Sequence, residues 1–183
     1  MVVVSDDNQN IYQAAKKIFP CSTSQLCHVH YLRNIKYDLE LDQFPHYAKF
    51  FKSVKSLFIT KRSTEDFDKR ARGILKSYMT DEKSIQIMLD IERRKSLLLG
   101  YHSGKRVPVT TNLIEGYNSH LEDRLQRLKG FESFKHAKLW LNAYFLRRRT
   151  KKFTDCRGKF KRLNGTTSLE EALTPGIKIP NFF

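Results

Sequence analysis

The sequence predicts an α/β fold with two short strands near the amino terminus and helices over most of the remainder. Residues 1–4 form a continuous apolar run, which is typical of a strand buried on both faces. Residues 24–31 are predicted as the second strand. Between the two predicted strands, residues 8–18 have the apolar face of a helix, and Pro20 ends that helix. A strand, helix and strand in succession indicate a parallel pair with a crossover helix.

The character of the chain becomes helical from Phe44 onward, because apolar residues recur there at helical spacing. Ser63 and Thr80 have the polar, acid-flanked context of helix starts. Gly104 and Pro108 punctuate a predicted loop at 100–108. Helices are predicted over residues 44–58, 63–78, 80–99, 110–128 and 134–149.

The charge balance is strongly basic. The chain of 183 residues has 34 Lys and Arg against 19 Asp and Glu, a net charge of +15. Such an excess favours a polyanionic partner, because each neutralised phosphate releases condensed counterions. No apolar run approaches the roughly 20 residues of a membrane span. Three cysteines without a repeating spacing form no disulfide framework and indicate a reducing, cytoplasmic compartment.

The first candidate for chemistry is Asp6, which follows the first predicted strand. Parallel α/β sheets place functional groups at the carboxyl ends of their strands. An alternative is that Asp6, Asp7 or Asn8 caps the following helix.

A second candidate is the polar side of the helix predicted at 110–128. Glu115, Asn118, Ser119 and Glu122 fall on one side of it, away from an apolar stripe that includes Ile114 and Tyr117. The alternative is a solvated polar face. Gly116 costs a helix about 1 kcal/mol relative to Ala, so it suggests close packing of another backbone or of substrate.

The third candidate is the pair Cys27 and His30, which has the spacing of a zinc half-site. No second Cys/His pair stands near it, and Cys156 is isolated. The sequence therefore favours a buried cysteine and a hydrogen-bonding histidine over a metal site.

Clusters of basic residues form the fourth candidate. A single charged run is usually solvated, whereas several runs without balancing acids favour phosphate contact. The runs are Arg93-Arg94-Lys95, Lys105-Arg106, Arg147-Arg148-Arg149, Lys151-Lys152 and Lys159 with Lys161-Arg162.

These motifs resemble, in their order, the C-terminal part of DDE transposases of the Mutator-like and related bacterial and archaeal insertion-sequence families. The resemblance covers roughly residues 2–153. The matching stretches are Val4-Ser5-Asp6, Ala14-Ala15, Ile18-Phe19-Pro20, Gln25 to His30, Leu32-Arg33-Asn34, Thr111 to Ser119, Arg124-Leu125, Lys129-Gly130-Phe131, and Trp140 ahead of Arg147-Arg148.

The resemblance implies an RNase H-like fold with a helical insertion before the last acidic residue. Residues 1–43 would be the C-terminal part of the RNase H-like sheet, and 44–109 the helical insertion. Residues 110–153 would contain the helix with the final acidic residue and the last helix, and 154–183 a basic tail.

The family holds two Mg²⁺ (or Mn²⁺) ions with two Asp and one Glu, and it cleaves and joins DNA strands. By resemblance, Asp6 matches the second Asp and Glu115 the Glu. Asp7 stands where the family usually has Gly, which favours Asp6 as the ligand. Cys27 and His30 match the family's Cys-x-x-His signature. Hard oxygen ligands suit Mg²⁺, and DNA ends would be held through their phosphates by Lys105, Arg106, Arg147, Arg148, Arg149, Lys151 and Lys152.

The family's first Asp lies on an earlier strand, and only five residues precede Asp6. We therefore expect a fragment of a transposase, from a truncated gene copy or a split reading frame, that is inactive alone. Its partners would be DNA and an upstream fragment or a full-length homologous transposase, in the cytoplasm or at a prokaryotic nucleoid. Two alternatives stay open: a non-catalytic nucleic-acid-binding module and a basic helical interaction protein.

Overall fold

The computed structural model describes residues 1–104 and 107–172, without the side chains of Leu113, Tyr117 and Lys159. The predicted DNA-contacting residues Lys105 and Arg106 lie outside these ranges. The chain forms two compact units, residues 1–120 and 121–183, which are described separately.

The first unit opens with the predicted parallel pair. Strand β1 (Val2–Ser5) and strand β2 (Thr23–Leu26) pair in parallel, in a register that runs from Val2 opposite Thr23 to Ser5 opposite Leu26. Helix α1 (Gln9–Ile18) connects them. This confirms the predicted α/β class and the crossover. The wider RNase H-like sheet stays a prediction, since the described residues contain this one two-stranded sheet.

The second strand is shorter than predicted, because helix α2 (His28–Asp38) takes over three residues before the expected end at residue 31. Tyr31 and Ile35, one helical turn apart, are both buried, whereas Val29 is exposed. The apolar side chains after Leu26 therefore follow the helical period, and β1 ends at Ser5, so a longer β2 would have no partner residues there.

Helices build the rest of this unit. Ser63 and Asp81 cap two of them, since their side-chain oxygens accept hydrogen bonds from the backbone N–H groups of Asp66 and Ser84. The single helix predicted over 80–99 is divided at Arg94. The helices are α3 (Ala48–Ser56), after a 3-10 turn at Pro45–Tyr47, α4 (Thr64–Ser77), α5 (Glu82–Arg93) and α6 (Lys95–Leu98).

The core lies among helices α2 to α6 and includes Leu26 from β2. Its most buried members are Leu39, Phe50, Val54, Leu57, Phe67, Ile91 and Leu98.

The buried side chain of Gln25 fastens the helices to β2. Its Oε1 accepts from the backbone N–H of Tyr101 at 2.7 Å, and its Nε2 donates to the carbonyl of Leu98 at 3.1 Å. The 3-10 turn Gly100–Ser103 follows the helices directly, so these bonds fix where the chain goes next.

Helix α7 (Asn112–Gln126) begins in the first unit and ends in the second. The second unit continues with α8 (Phe134–Thr150), a 3-10 turn at Gly158–Leu163 and α9 (Ser168–Ala172). The Ser168 hydroxyl donates to the carbonyl of Arg148 at 3.3 Å, which fastens α9 to α8. None of the helices in the described ranges combines the length and the hydropathy that crossing a bilayer requires.

Candidate catalytic centre at the carboxyl end of the parallel strands

Asp6 lies one residue beyond β1 and borders a cavity of about 460 Å³. Its Oδ1 is buried and has no hydrogen-bond partner among the described residues. The capping alternative is confirmed at Asn8, which caps α1 by accepting from the backbone N–H groups of Asn10 at 2.9 Å and Ile11 at 3.4 Å, so Asp6 is not the cap. Asp6 therefore retains an acceptor for a ligand.

Asp7 faces a different environment, although it is the next residue. The guanidinium of Arg94 forms an ion pair with the Asp7 carboxylate and donates to Asp90 Oδ1 at 3.1 Å. The hydroxyl of Tyr31 donates to Asp90 Oδ2 at 2.8 Å. Burial raises the pKa of Asp90, but the hydrogen bonds from Arg93 and Tyr31 and the charge of Arg94 bring it below its ordinary value. The preference for Asp6 over Asp7 as a ligand stays a prediction.

Backbone hydrogen bonds join the residues that follow β2 to the end of β1 and to the segment before α7. The backbone N–H of Cys27 donates to the carbonyl of Ser5 at 2.7 Å, at the end of β1. The next backbone N–H, of His28, donates to the carbonyl of Val109 at 2.9 Å. The segment that leads into α7 is thereby joined to the junction of β2 and α2.

Four side chains meet at this junction: Cys27, His30, Thr111 and Glu115. The Thr111 hydroxyl oxygen lies 3.3 Å from Cys27 Sγ and 3.3 Å from His30 Nδ1, and it donates to Glu115 Oε1. His30 Nδ1 lies 3.3 Å from Cys27 Sγ and 3.7 Å from Glu115 Oε1. The motifs at residues 27–30 and 111–119 are therefore in direct contact.

Cys27 is buried, and its thiol has several polar neighbours. Burial raises the pKa of Cys27, yet the hydrogen bonds from Thr111 and His30 outweigh it and leave that pKa below the ordinary value. The sequence interpretation of a buried cysteine beside a hydrogen-bonding histidine agrees with this geometry.

Glu115 thus lies by the carboxyl end of β2, and Asp6 follows the neighbouring strand β1. The Glu115 side chain is 47% exposed, so solvent reaches its carboxylate. Within the described ranges, no set of three or more His, Cys, Asp and Glu side chains is grouped closely enough to hold a metal ion. The two carboxylates are hard oxygen donors that fit Mg²⁺, and the unpartnered Oδ1 of Asp6 fits a ligand role.

Two expectations for α7 need correction. Ile114 does not face inward, since it is 52% exposed. Gly116 does not pack against another backbone among the described residues, because a Cβ built there meets none of their atoms within 4 Å, and close approach of substrate stays a prediction. Asn118, Ser119 and Glu122 are exposed, as the polar face predicts. Asn118 and Ser119 belong to the first unit and Glu122 to the second. The predicted inward position of Tyr117 lies outside the described side chains.

A family model described as "Transposase, Mutator family" matches residues 1–142. The chain belongs to the Mutator family of transposases. The match includes both strands, Asp6, the Cys27–His30 pair, Thr111 and Glu115. No curated protein and no solved structure matches the chain. Membership makes DNA transposition the function class of this Mutator-family chain and DNA its partner.

The second unit of this Mutator-family chain is the more basic one. Residues 121–172 hold 14 Lys and Arg against six Asp and Glu. Among the predicted DNA contacts, Arg147, Arg149, Lys151 and Lys152 are exposed and Arg148 is half-buried. An exposed basic segment at the end of α8 suits phosphate contact.

Sequence reasoning missed two participants. The sequence places Arg94 in a basic run that predicts phosphate contact, but its guanidinium pairs with Asp7 and Asp90. The sequence indicates no separate role for Thr111 within its motif, although its hydroxyl contacts three side chains of the centre. A threonine directly before a helix looks like an ordinary cap, so only its position next to Cys27 distinguishes it.

Proposed function

We propose that Asp6 and Glu115 are two of the three metal-ligating carboxylates of a transposase that cleaves and joins DNA strands by phosphoryl transfer. The observation that carries the proposal is that each of the two residues lies at the carboxyl end of one of two paired parallel strands. Asp6 directly follows β1 and has a buried Oδ1 without a partner among the described residues, and Glu115 is joined to the end of the adjacent strand β2 through Thr111 and Cys27.

Asp6 and Glu115 would hold Mg²⁺ or Mn²⁺ through their carboxylate oxygens. When bound in a pair, such ions stabilise the attacking and leaving oxygens of an in-line displacement at phosphorus. The role of this chain is to present the two carboxylates and to hold the DNA. Phosphate contacts fix the register of the duplex without reading its sequence.

The 183 residues contain no acidic residue before Asp6. No residue in this chain matches the first Asp of the family, so we expect the chain by itself to be catalytically incomplete. Its DNA binding would survive this loss, because binding depends on Lys and Arg.

The second candidate function is a non-catalytic nucleic-acid-binding module. The observation that favours it is the excess of basic residues in 121–172, which suits phosphate contact without any metal chemistry. It predicts DNA binding without specific metal binding at Asp6 and Glu115.

Metal binding separates the two functions. The purified chain is titrated with Mn²⁺, and paramagnetic broadening of the His30 imidazole signals is followed by NMR, because His30 Nδ1 lies 3.7 Å from Glu115. The proposal predicts saturable broadening that Asp6→Asn and Glu115→Gln each weaken at least about tenfold. Equal broadening in wild type and both variants would favour the non-catalytic module.

A nicking and strand-transfer assay with Mg²⁺ or Mn²⁺ tests the incompleteness. We expect no cleavage by the chain alone. Robust cleavage that Glu115→Ala abolishes would overturn the claim that a carboxylate is missing, while supporting the role of Glu115.

A further inference from the structure

Glu115 lies in the first turn of α7, and its side chain is 47% exposed. An exposed glutamate has several rotamers, and ordering it costs conformational entropy. A metal-ligating carboxylate needs a fixed orientation, which hydrogen-bonded neighbours commonly provide. The contacts of Glu115 therefore show what could fix it.

The hydroxyl of Thr111 is the nearest donor to Glu115 Oε1. A hydroxyl has a single proton, and a carboxylate accepts more strongly than a sulfur or a neutral ring nitrogen. The proton of Thr111 therefore goes to Glu115. The lone pairs of the same oxygen can accept from His30 Nδ1 at 3.3 Å, and Cys27 Sγ lies in contact with this oxygen at the same distance.

Thr111 is itself held from both sides. Its backbone N–H donates to Cys27 Sγ at 3.4 Å, and its carbonyl accepts from Ile114 at 2.9 Å and Glu115 at 3.0 Å in the first turn of α7. Its hydroxyl thus joins a buried cysteine at the end of β2 to a solvent-exposed carboxylate on α7.

We propose that Thr111 is a positioning residue, whose hydroxyl bridges the Cys27–His30 pair to Glu115 and fixes the carboxylate at the carboxyl end of β2. The inference rests on the proposed role of Glu115 as a metal ligand. It also gives the Cys-x-x-His pair a role that needs no metal of its own: the pair anchors the hydroxyl that orients the ligand.

The test compares Thr111→Val, which removes the hydroxyl at nearly constant shape, with Thr111→Ser, which retains it. Thr110→Val is the matched control, since Thr110 is the adjacent half-buried threonine. Thr111→Ala replaces the valine variant if valine is not accommodated. Thermal unfolding establishes that each variant is folded.

Two readouts are taken on the full chain. The first is the ¹⁵N chemical shift of His30 Nδ1, assigned with His30→Gln, which reports the contact with the Thr111 oxygen. The second is the Mn²⁺ affinity. We expect Thr111→Val to shift the Nδ1 signal and to weaken Mn²⁺ binding by about 10- to 100-fold. Thr111→Ser and Thr110→Val should stay near wild type in both.

The inference is overturned if Thr111→Val leaves the Nδ1 signal unchanged, or if it binds Mn²⁺ like wild type while Glu115→Gln does not. If Glu115→Gln binds Mn²⁺ as wild type does, or the wild-type chain shows no saturable binding, the metal-ligand role fails and the positioning role falls with it. In that case a shifted Nδ1 signal in Thr111→Val would still show that the Thr111 oxygen contacts His30. Failure of the metal-ligand role of Glu115 is thereby distinguishable from failure of the Thr111 bridge.

Discussion

The hydroxyl oxygen of Thr111 lies 3.3 Å from the sulfur of Cys27, although 84 positions separate the two residues in the chain. The helices α2 to α6 lie within that interval. Because Gln25 fastens the end of these helices to β2, the chain returns to the strand from which it departed. Thr111 contacts Cys27 at the end of β2, and Glu115, one helical turn after Thr111, therefore lies near the same strand end.

The neighbouring aspartates should differ in their effect on metal binding. Asp6→Asn removes the carboxylate whose Oδ1 has no partner among the described residues, and it should weaken Mn²⁺ binding at least about tenfold. Asp7→Asn should leave the affinity within about twofold, because Asp7 is paired with Arg94. Mn²⁺ titration followed by electron paramagnetic resonance measures both. Equal losses in the two variants would contradict the assignment of Asp6.

DNA binding should depend steeply on salt. Replacing Arg147 and Arg149 by Gln should weaken binding to duplex DNA and reduce the slope of log K against log salt by about one for each lost phosphate contact. The matched control is Lys49→Gln with Lys52→Gln, a pair of exposed lysines on α3. Fluorescence anisotropy at several salt concentrations measures the slopes. An unchanged slope in the arginine variant would exclude phosphate contacts at the end of α8.

Stability should fall in mildly acidic solution because of His28. Its Nε2 donates to the carbonyl of Leu98 at 2.8 Å, and its Nδ1 is buried without a partner among the described residues. Burial lowers the pKa of His28 and outweighs the opposing effect of that hydrogen bond. As the pH falls, His28 is therefore protonated at a higher pH in the unfolded chain than in the folded protein.

The stabilisation from neutral His28 is fully present above the unfolded pKa of about 6.5 and is lost progressively as the pH falls from that value through the lower pKa of the folded state. We expect Tm to decrease between about pH 7.5 and pH 5, and His28→Gln to flatten this dependence. His120→Gln, at an exposed histidine, is the control. The same pH dependence in His28→Gln as in wild type would assign it to other groups.

Two glycines should respond oppositely to alanine. A Cβ at Gly100 would lie 2.2 Å from the carbonyl oxygen of Ser24, so Gly100→Ala should destabilise the fold by about 3 kcal/mol or more. A Cβ at Gly73 in α4 meets nothing within 4 Å, so Gly73→Ala should stabilise the fold by about 1 kcal/mol. Denaturant unfolding measures both. A neutral Gly100→Ala would contradict the close approach of this turn to β2.

Cys27 and His30 should bind no zinc in the purified chain. Two ligands do not complete a tetrahedral site, and the contacts of the Cys27 sulfur are to Thr111 and His30. Metal analysis of the protein as purified should show no stoichiometric zinc, in wild type and in Cys27→Ser alike. Stoichiometric zinc in wild type that disappears in Cys27→Ser would contradict this.

The helices were predictable where their start signals are local. Ser63 precedes acidic residues, and the structure uses its hydroxyl as the cap of α4. The end of β2 was not predictable, because Leu26, Val29 and Tyr31 fit both a strand and a helix over so short a range. The break between α5 and α6 at Arg94 was not predictable either. Arg94 forms ion pairs with Asp90 and with Asp7, and Asp7 is 87 positions away in the chain.

The sequence by itself determined the parallel pair, the helical character of the remainder, the basic charge and the identity of Asp6, Cys27, His30 and Glu115 as candidates. These follow from periodicity, composition and short motifs, which are properties of neighbouring residues. Only the tertiary structure decided that Asp6 Oδ1 has no partner among the described residues while Asp7 is paired, and that Thr111 joins Cys27 to Glu115. Both depend on contacts between distant segments, whose geometry is set by how the helices pack and return to β2.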